Sequence, residues 1–325
     1  MYSWGGDTKD WRGSKRYDYG SARARYDRAA SAAGATGPRA YIRAAAPDEK
    51  ITDPKGKVIS SDSADPVIFA VDVTGSMASW PAEIFDRLPL LYQTLAKYRP
   101  DAEFSFCAIG DATTDQFPLQ ITDFDKNING LEKKLKALGC EGGGGGQLTE
   151  SYELFGHFMD AHCKTSKATS PFLLICGDEA FYEKVDPSQV KHYIGDRLES
   201  AISSEKIWGS LLQKFNLYLL HKPYGDGGDL SSDKEIKSKW AKAIGMQRII
   251  DLPSADRVVD VAMGLIAKHW GEYGDFTKNL DARHDDSKLK ATVHKTLRFI
   301  DVDPVATSVL LKDPSKSGKT KSLLD

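Results

Sequence analysis

Three oxygen-bearing side chains stand at intervals of two residues in the first third of the chain. Asp72, Thr74 and Ser76 lie in the segment DVTGSM, directly after an apolar run, PVIFAVDV. This spacing allows one carboxylate and two hydroxyls to converge in a single turn. Such oxygen groups are ligands suited to Mg²⁺, with Mn²⁺ or Ca²⁺ as alternatives. The segment therefore predicts a divalent-cation site, although a strand-to-helix turn with capping residues has the same appearance.

A second acidic segment follows another apolar run, PFLLICGDE, and contains Asp178 and Glu179. In open α/β sheets, ligands bind beyond the carboxyl ends of the strands. If the two strands are neighbours, Asp178 joins the first three residues as a cation ligand and Glu179 lies at the rim. Asp111 follows a third apolar segment, EFSFCAIGD, and is either a further rim residue or a turn residue.

A glycine-rich loop, EGGGGGQLTES, separates these segments at residues 141–151. Glycine permits a close approach of the backbone, so the loop can border the cation site. Thr149 is the expected ligand from this loop, and Gln147 and Glu150 are the alternatives. A flexible linker is the other interpretation of such a run.

Strands and helices alternate along the chain. This pattern predicts an α/β fold, a doubly wound, mostly parallel six-stranded sheet with helices on both faces. The strands are expected within 66–73, 103–111, 117–124, 171–179, 214–222 and 248–252. The expected domain spans 61–272, between a flexible arm rich in Tyr, Arg and Gly at 1–60 and a polar, basic extension at 273–325.

Three segments, which are DVTGSM, the glycine-rich loop and ICGDE in their order along the chain, resemble a known family. DVTGSM resembles the Asp-x-Ser/Thr-x-Ser motif of the metal-ion-dependent adhesion site in von Willebrand factor type A domains, and ICGDE resembles the third loop of that site. The glycine-rich loop resembles the second loop but departs from it, because Gln147 stands where the family usually has Thr. The resemblance covers about residues 65 to 270.

The resemblance implies a function. In such a domain a partner protein's Asp or Glu carboxylate fills an open position on the metal, without catalysis. Intracellular bacterial members of this family suggest that the chain is an adaptor whose partner is an AAA+ ATPase system. These implications are expectations for this chain.

Charge and cysteine usage favour an intracellular binding protein. Residues 51–275 contain 24 Lys and Arg against 33 Asp and Glu. An acidic middle suits a cation site better than a nucleic-acid groove. The four cysteines form no CxxC pair, and no apolar run approaches the roughly 20 residues needed to span a bilayer. A cytoplasmic location is expected.

Two other functions stay open at this stage. The arginines and tyrosines of the N-terminal arm could bind RNA, which would make the chain an RNA-binding scaffold. A Mg²⁺-dependent phosphohydrolase is the less favoured alternative, because its chemistry requires a second Asp at the position of Thr74.

Overall fold

A six-stranded sheet forms the centre of the molecule. The computed structural model describes residues 46–144, 147–284, 286–298 and 300. The strands of this sheet are β2 (Val67–Asp72), β3 (Phe104–Ile109), β4 (Leu119–Ile121), β7 (Phe172–Gly177), β11 (Asn216–His221) and β12 (Ile249–Asp251). Their spatial order is β12-β11-β7-β2-β3-β4. All neighbours are parallel except the edge strand β4, which runs antiparallel to β3.

Short strands accompany the main sheet as three two-stranded pairs. They are β1 (Ile59–Ser60) with β6 (Cys163–Lys164), β5 (Thr149–Glu150) with β8 (Ala180–Phe181), and β9 (Lys184–Val185) with β10 (Ile202–Ser203). The pairing of β5 with β8 is parallel and joins Thr149 to Ala180 and Glu150 to Phe181. It anchors the end of the glycine-rich loop beside the segment that follows β7.

Helices cover both faces of the main sheet. They are α1 (Glu49–Thr52), α2 (Trp80–Tyr98), α3 (Ile128–Ala137), α4 (Tyr152–His162), α5 (Pro187–Gln189), α6 (Ser204–Lys214), α7 (Leu230–Ile244), α8 (Val258–Trp270), α9 (Tyr273–Arg283) and α10 (Ser287–Leu297). A π-helical turn at Val190–Ile194 continues α5.

Alternate residues of the central strand β2 lie in two separate hydrophobic cores. Val67, Phe69 and Val71 pack with α2 and α8, whereas Ile68 and Ala70 pack with α4, α6 and α7. Successive side chains of a strand point to opposite faces, so a strand that is buried on both faces must be apolar throughout. The mixed α/β fold and its mostly parallel six-stranded sheet therefore agree with the sequence prediction.

The folded region extends beyond the predicted boundaries at residues 61 and 272. At the first boundary, Ile59 pairs with Cys163 through β1 and β6, and the Asp48 N–H donates to the Ala137 carbonyl at 2.9 Å. Residues 46–60 are thus held by the domain rather than belonging to the predicted flexible arm. The backbone hydrogen bonds of a two-residue strand carry little sequence signal, which explains the difference.

At the other boundary, α9 and α10 pack on α8 instead of forming part of a polar extension. Phe276, Leu280, Val293 and Leu297 are buried in the same core as α8. A Cβ on Gly264 of α8 would lie 2.3 Å from Leu297 Cδ1, so the glycine permits the close approach of α10. Residues 1–45 of the predicted arm lie outside the described residues, as do residues 299 and 301–325 of the predicted C-terminal extension.

Two further expectations concern the setting of the protein. Within the described ranges, none of the helices combines the length and apolar character required to cross a membrane. Cys107, Cys140, Cys163 and Cys176 are all buried and free of disulfide bonds.

Candidate metal centre

The turn after β2 gathers the first three candidate ligands. The Asp72 carboxylate accepts hydrogen bonds at Oδ1 from the Thr74 N–H at 2.8 Å and from the Thr74 hydroxyl at 2.5 Å. The Thr74 and Ser76 hydroxyl oxygens are 3.4 Å apart. Asp72 and Thr74 are buried, and the 3-10 turn Gly75–Met77 carries Ser76 towards the same point.

The end of β7 brings the second carboxylate to this turn. Because β2 and β7 are neighbours, with Val71 opposite Cys176, both chains leave the sheet at the same edge. The Ser76 hydroxyl donates to Asp178 Oδ1 at 2.8 Å. The structure thus brings together Asp72, Thr74, Ser76 and Asp178.

Gly142 and Gly143, at the start of the glycine-rich loop, lie directly against the turn. The Gly75 N–H donates to the Gly143 carbonyl at 2.5 Å, and the Gly142 N–H donates to the Val73 carbonyl at 3.2 Å. A Cβ on Gly75 would lie 2.7 Å from the Gly143 carbonyl oxygen. This contact requires glycine and favours the binding-loop interpretation over the linker.

The loop residues proposed as ligands lie in different surroundings. Gln147 is exposed, and Thr149 is half-buried in β5 rather than at the start of a helix. Glu150 is 1% exposed. A Cβ on Gly144 would lie 3.1 Å from Glu150 Oε1 and 3.6 Å from Thr74 Cβ, which places the Glu150 carboxyl near the turn. Glu150 is therefore the one of these three candidates whose side chain is buried beside the turn.

Glu150 and Glu179 form an acidic pair beside Asp72. The pairing of β5 with β8 draws them together, and burial raises the pKa of both carboxyls. The negative charge of Asp72 raises both pKa values further. The Oε2 atoms of Glu150 and Glu179 are buried and have no hydrogen-bond partner among the described residues. The surroundings of this pair therefore disfavour further negative charge.

Asp111 is held within its own turn. Its carboxylate accepts from the Thr113 N–H at 2.9 Å and the Thr113 hydroxyl at 2.7 Å. The Tyr182 hydroxyl donates to the two Asp111 oxygens at 3.1 and 3.2 Å. These contacts hold the Asp111 carboxylate within the turn that follows β3.

Two residues that the sequence did not single out complete the surroundings. The Tyr152 hydroxyl, at the start of α4, donates a short hydrogen bond to Asp72 Oδ2. A Cβ on Gly177 would lie 2.0 Å from that hydroxyl, so glycine before Asp178 makes room for Tyr152. Tyr152 belongs to an apolar helix stripe and gives no sequence signal.

Lys222 is the second such residue. It follows β11, and its ammonium lies 2.8 Å from Asp178 Oδ2 and 3.2 Å from the Ser76 carbonyl oxygen. Its position after the strand KFNLYLLHK, at the carboxyl edge of the sheet, is the signal that could have identified it.

The donor set fits a small divalent cation. Neighbouring ligands of an octahedral ion with bonds near 2.1 Å lie roughly 3 Å apart. The oxygen pairs Thr74–Ser76 and Ser76–Asp178 are 3.4 and 2.8 Å apart. Burial, then the charge of Asp178, raises the pKa of Asp72 to about 7, so added positive charge would favour the ionised acid.

The candidate centre does not consist of His, Cys, Asp or Glu ligands alone. In the part of the chain that the structure describes, no three His, Cys, Asp or Glu side chains converge as a metal-binding group. The candidate centre combines two such carboxylates with hydroxyl groups. Its chemistry is therefore that of an oxygen site with a large contribution from neutral donors.

Comparisons with known proteins give little further guidance. No family model and no curated protein matches the sequence. The open conformation of the pilus adhesin SpaC from Lactobacillus rhamnosus GG is similar, with 12% identity and a TM-score of 0.46, over 69% of this chain and 31% of the adhesin. A second crystal structure of SpaC gives 12% identity and a TM-score of 0.41, over 66% and 32%. The chain thus spans about a third of the adhesin's length.

Proposed function

We propose that this chain is a von Willebrand factor type A-like domain with a doubly wound sheet, and that it binds Mg²⁺ through Asp72, Thr74, Ser76 and Asp178. The single observation that carries the proposal is the 2.8 Å hydrogen bond from Ser76 to Asp178, which joins the turn after β2 to the end of β7. Mn²⁺ and Ca²⁺ are alternative ions for the same oxygen donors. Glu150 replaces Thr149 as the favoured loop residue.

The bound ion would serve recognition rather than catalysis. The Asp72 carboxylate accepts hydrogen bonds from Thr74 and Tyr152, which orient it within the turn. Thr74 stands where a phosphohydrolase would need its second Asp. The metal would offer a coordination position to an Asp or Glu carboxylate of a protein partner.

A cytoplasmic adaptor is the cellular role that we propose. An AAA+ ATPase system is the partner class that the family resemblance suggests, an inference by analogy. The RNA-binding alternative depends on the arm at residues 1–45, outside the described residues, and no observation in the folded domain favours it.

The metal step can be tested directly. We expect the purified wild-type chain to bind Mn²⁺ saturably, as measured by electron paramagnetic resonance of the free ion, with Mg²⁺ in competition. Asp72→Asn removes a ligand charge at constant size and should abolish this binding. Asp101→Asn is the matched control, because Asp101 is 89% exposed and precedes β3 at the opposite edge of the sheet. Equal binding by all three proteins would contradict the proposal.

The partner step needs a separate measurement. The immobilised wild-type and Asp72→Asn chains would be exposed to native lysate in Mg²⁺ and in EDTA. We expect a protein that is retained only by the wild type in Mg²⁺, and released by free acetate or acidic peptide. A partner that is retained equally in all four conditions would refute the metal bridge.

A further inference from the structure

Lys222 occupies an unusual position for a lysine. Its side chain is 1% exposed, and among the lysines of the described residues it alone is fully buried. Removing an ammonium group from water is costly unless hydrogen bonds and an opposite charge compensate for it. Asp178 and the Ser76 carbonyl provide this compensation, at 2.8 and 3.2 Å.

The backbone fixes where this ammonium lies. The Lys222 N–H donates to the Gly177 carbonyl at 2.9 Å, which continues the pairing of β11 with β7 by one residue. Pro223 follows and favours an extended conformation at Lys222. The Trp80 ring centroid lies 5.8 Å from the ammonium, and Asp226 lies 3.4 Å from it on the outer side. The lysine is thus held beside Asp178 by the main sheet.

The ammonium and a metal ion would interact with the same carboxylate. Asp178 uses Oδ1 to accept from Ser76 and Oδ2 to accept from Lys222. Asp72 and Asp178 are both fully buried, so without a cation nearby their charges repel each other in a medium of low dielectric constant. Lys222 supplies a covalently attached positive charge at this place.

We propose that Lys222 is a built-in counter-ion that keeps the metal centre assembled without metal and weakens its affinity for divalent cations. Repulsion between the ammonium and the bound ion opposes metal binding, so the site responds to changes in free Mg²⁺ instead of remaining saturated. This inference rests on the proposed function, because it concerns the same site. It differs from that function in naming what sets the affinity.

The test compares Mn²⁺ and Mg²⁺ binding by wild type and Lys222→Met, a neutral replacement of similar length. Removing one positive charge a few ångströms from the ion should tighten binding on the order of tenfold or more. Lys237→Met is the matched control, because Lys237 pairs with Asp251 at 2.7 Å at the end of β12 and does not contact the centre. It should leave metal affinity unchanged.

Melting temperature provides a second readout. Metal-free Lys222→Met should melt below the wild type, since two buried carboxylates lose their counter-ion, and Mg²⁺ should raise its melting temperature more than that of the wild type. If the variant does not fold without metal, folding recovered by excess Mg²⁺ supports the inference and failure to recover overturns it.

The outcomes separate the inference from the proposed function. Equal or weaker metal binding by Lys222→Met, with normal binding by the wild type, overturns the inference alone. Binding by Lys222→Met but not by the wild type supports the counter-ion role and overturns Mg²⁺ binding by the natural chain. Absence of binding by both proteins overturns both.

Discussion

Replacement of Glu153 by glutamine should remove a pH-dependent loss of stability. Glu153 lies in the first turn of α4 and is 1% exposed. Its Oε2 accepts from the Tyr182 N–H at 3.0 Å, whereas its Oε1 has no hydrogen-bond partner among the described residues. An ionised carboxylate in this place loses its hydration and receives only backbone N–H hydrogen bonds in return.

The magnitude follows from the pKa of this carboxyl. Burial raises the pKa of Glu153 from 4.5 to about 8. Below 4.5 the folded and unfolded chains both hold the proton, and the stability that protonated Glu153 contributes is fully present. As the pH rises from 4.5 towards 8, the unfolded chain ionises first, and stability falls by about 1.4 kcal/mol per pH unit. The loss reaches about 4 kcal/mol near pH 8.

Urea unfolding of wild type and Glu153→Gln in EDTA would measure this loss. Glutamine retains an acceptor for the Tyr182 N–H and does not ionise. Relative to the variant, we expect the wild type to lose about 3 to 4 kcal/mol of unfolding free energy between about pH 5 and about pH 8. Glu205→Gln, in the first turn of α6 and exposed, should show no such difference. Parallel pH profiles for wild type and Glu153→Gln would refute the reasoning.

Two further substitutions test the centre and the limits of the fold. Tyr152→Phe removes the hydroxyl that donates to Asp72. We expect urea unfolding to show a loss of about 1.5 to 3 kcal/mol in unfolding free energy, and metal titration to show Mn²⁺ binding weakened about 10- to 100-fold. Unchanged metal affinity would contradict a role for Tyr152 in supporting the Asp72 ligand. Leu297→Ala leaves a cavity where α10 meets Gly264. We expect it to lower the free energy of unfolding, measured in urea, by about 2 to 5 kcal/mol. A decrease below about 1 kcal/mol would argue against α10 as part of the core.

The sheet and most of the candidate centre could be predicted because they depend on simple periodicities. Residues 67–72 and 172–177 are buried throughout, and such continuous apolar runs indicate strands covered on both faces. Parallel neighbours end at one edge of the sheet, which is why Ser76 of the turn after Asp72 reaches Asp178, 102 positions further along the chain. The convergence of these acids needed only the strand order.

Other parts depend on contacts that carry no local pattern. Thr149 was the ligand expected from the glycine-rich loop, but β5 pairs with β8 and Glu150 is the buried residue of this strand. The tertiary pairing of two-residue strands decides this orientation. Tyr152 reaches Asp72 because Gly177 leaves space for its ring, a fit between residues 25 positions apart. Periodicity cannot detect such complementarity.

Two clusters of buried acids among the described residues differ in how their charge is compensated, and the difference supports a functional role for the candidate centre. Burial alone would raise the pKa of Asp260, but a hydrogen bond from His284 and nearby guanidinium groups hold it well below its usual range. The Arg257 and Arg283 guanidinium groups donate to Asp260 at 2.7 and 2.9 Å. Asp260 is therefore fully compensated by its own structure.

The acids around the candidate centre lack that compensation. Asp72, Asp178, Glu150 and Glu179 lie at one edge of the sheet within electrostatic reach of one another, and Lys222 contacts Asp178. Burial and mutual repulsion raise the pKa of Asp72, Glu150 and Glu179. Buried acids that repel one another lower the stability of the fold. Such destabilising arrangements, and the raised pKa values that accompany them, concentrate at functional sites. A divalent cation would supply the charge that these acids lack, and this need distinguishes the centre from the purely structural cluster around Asp260.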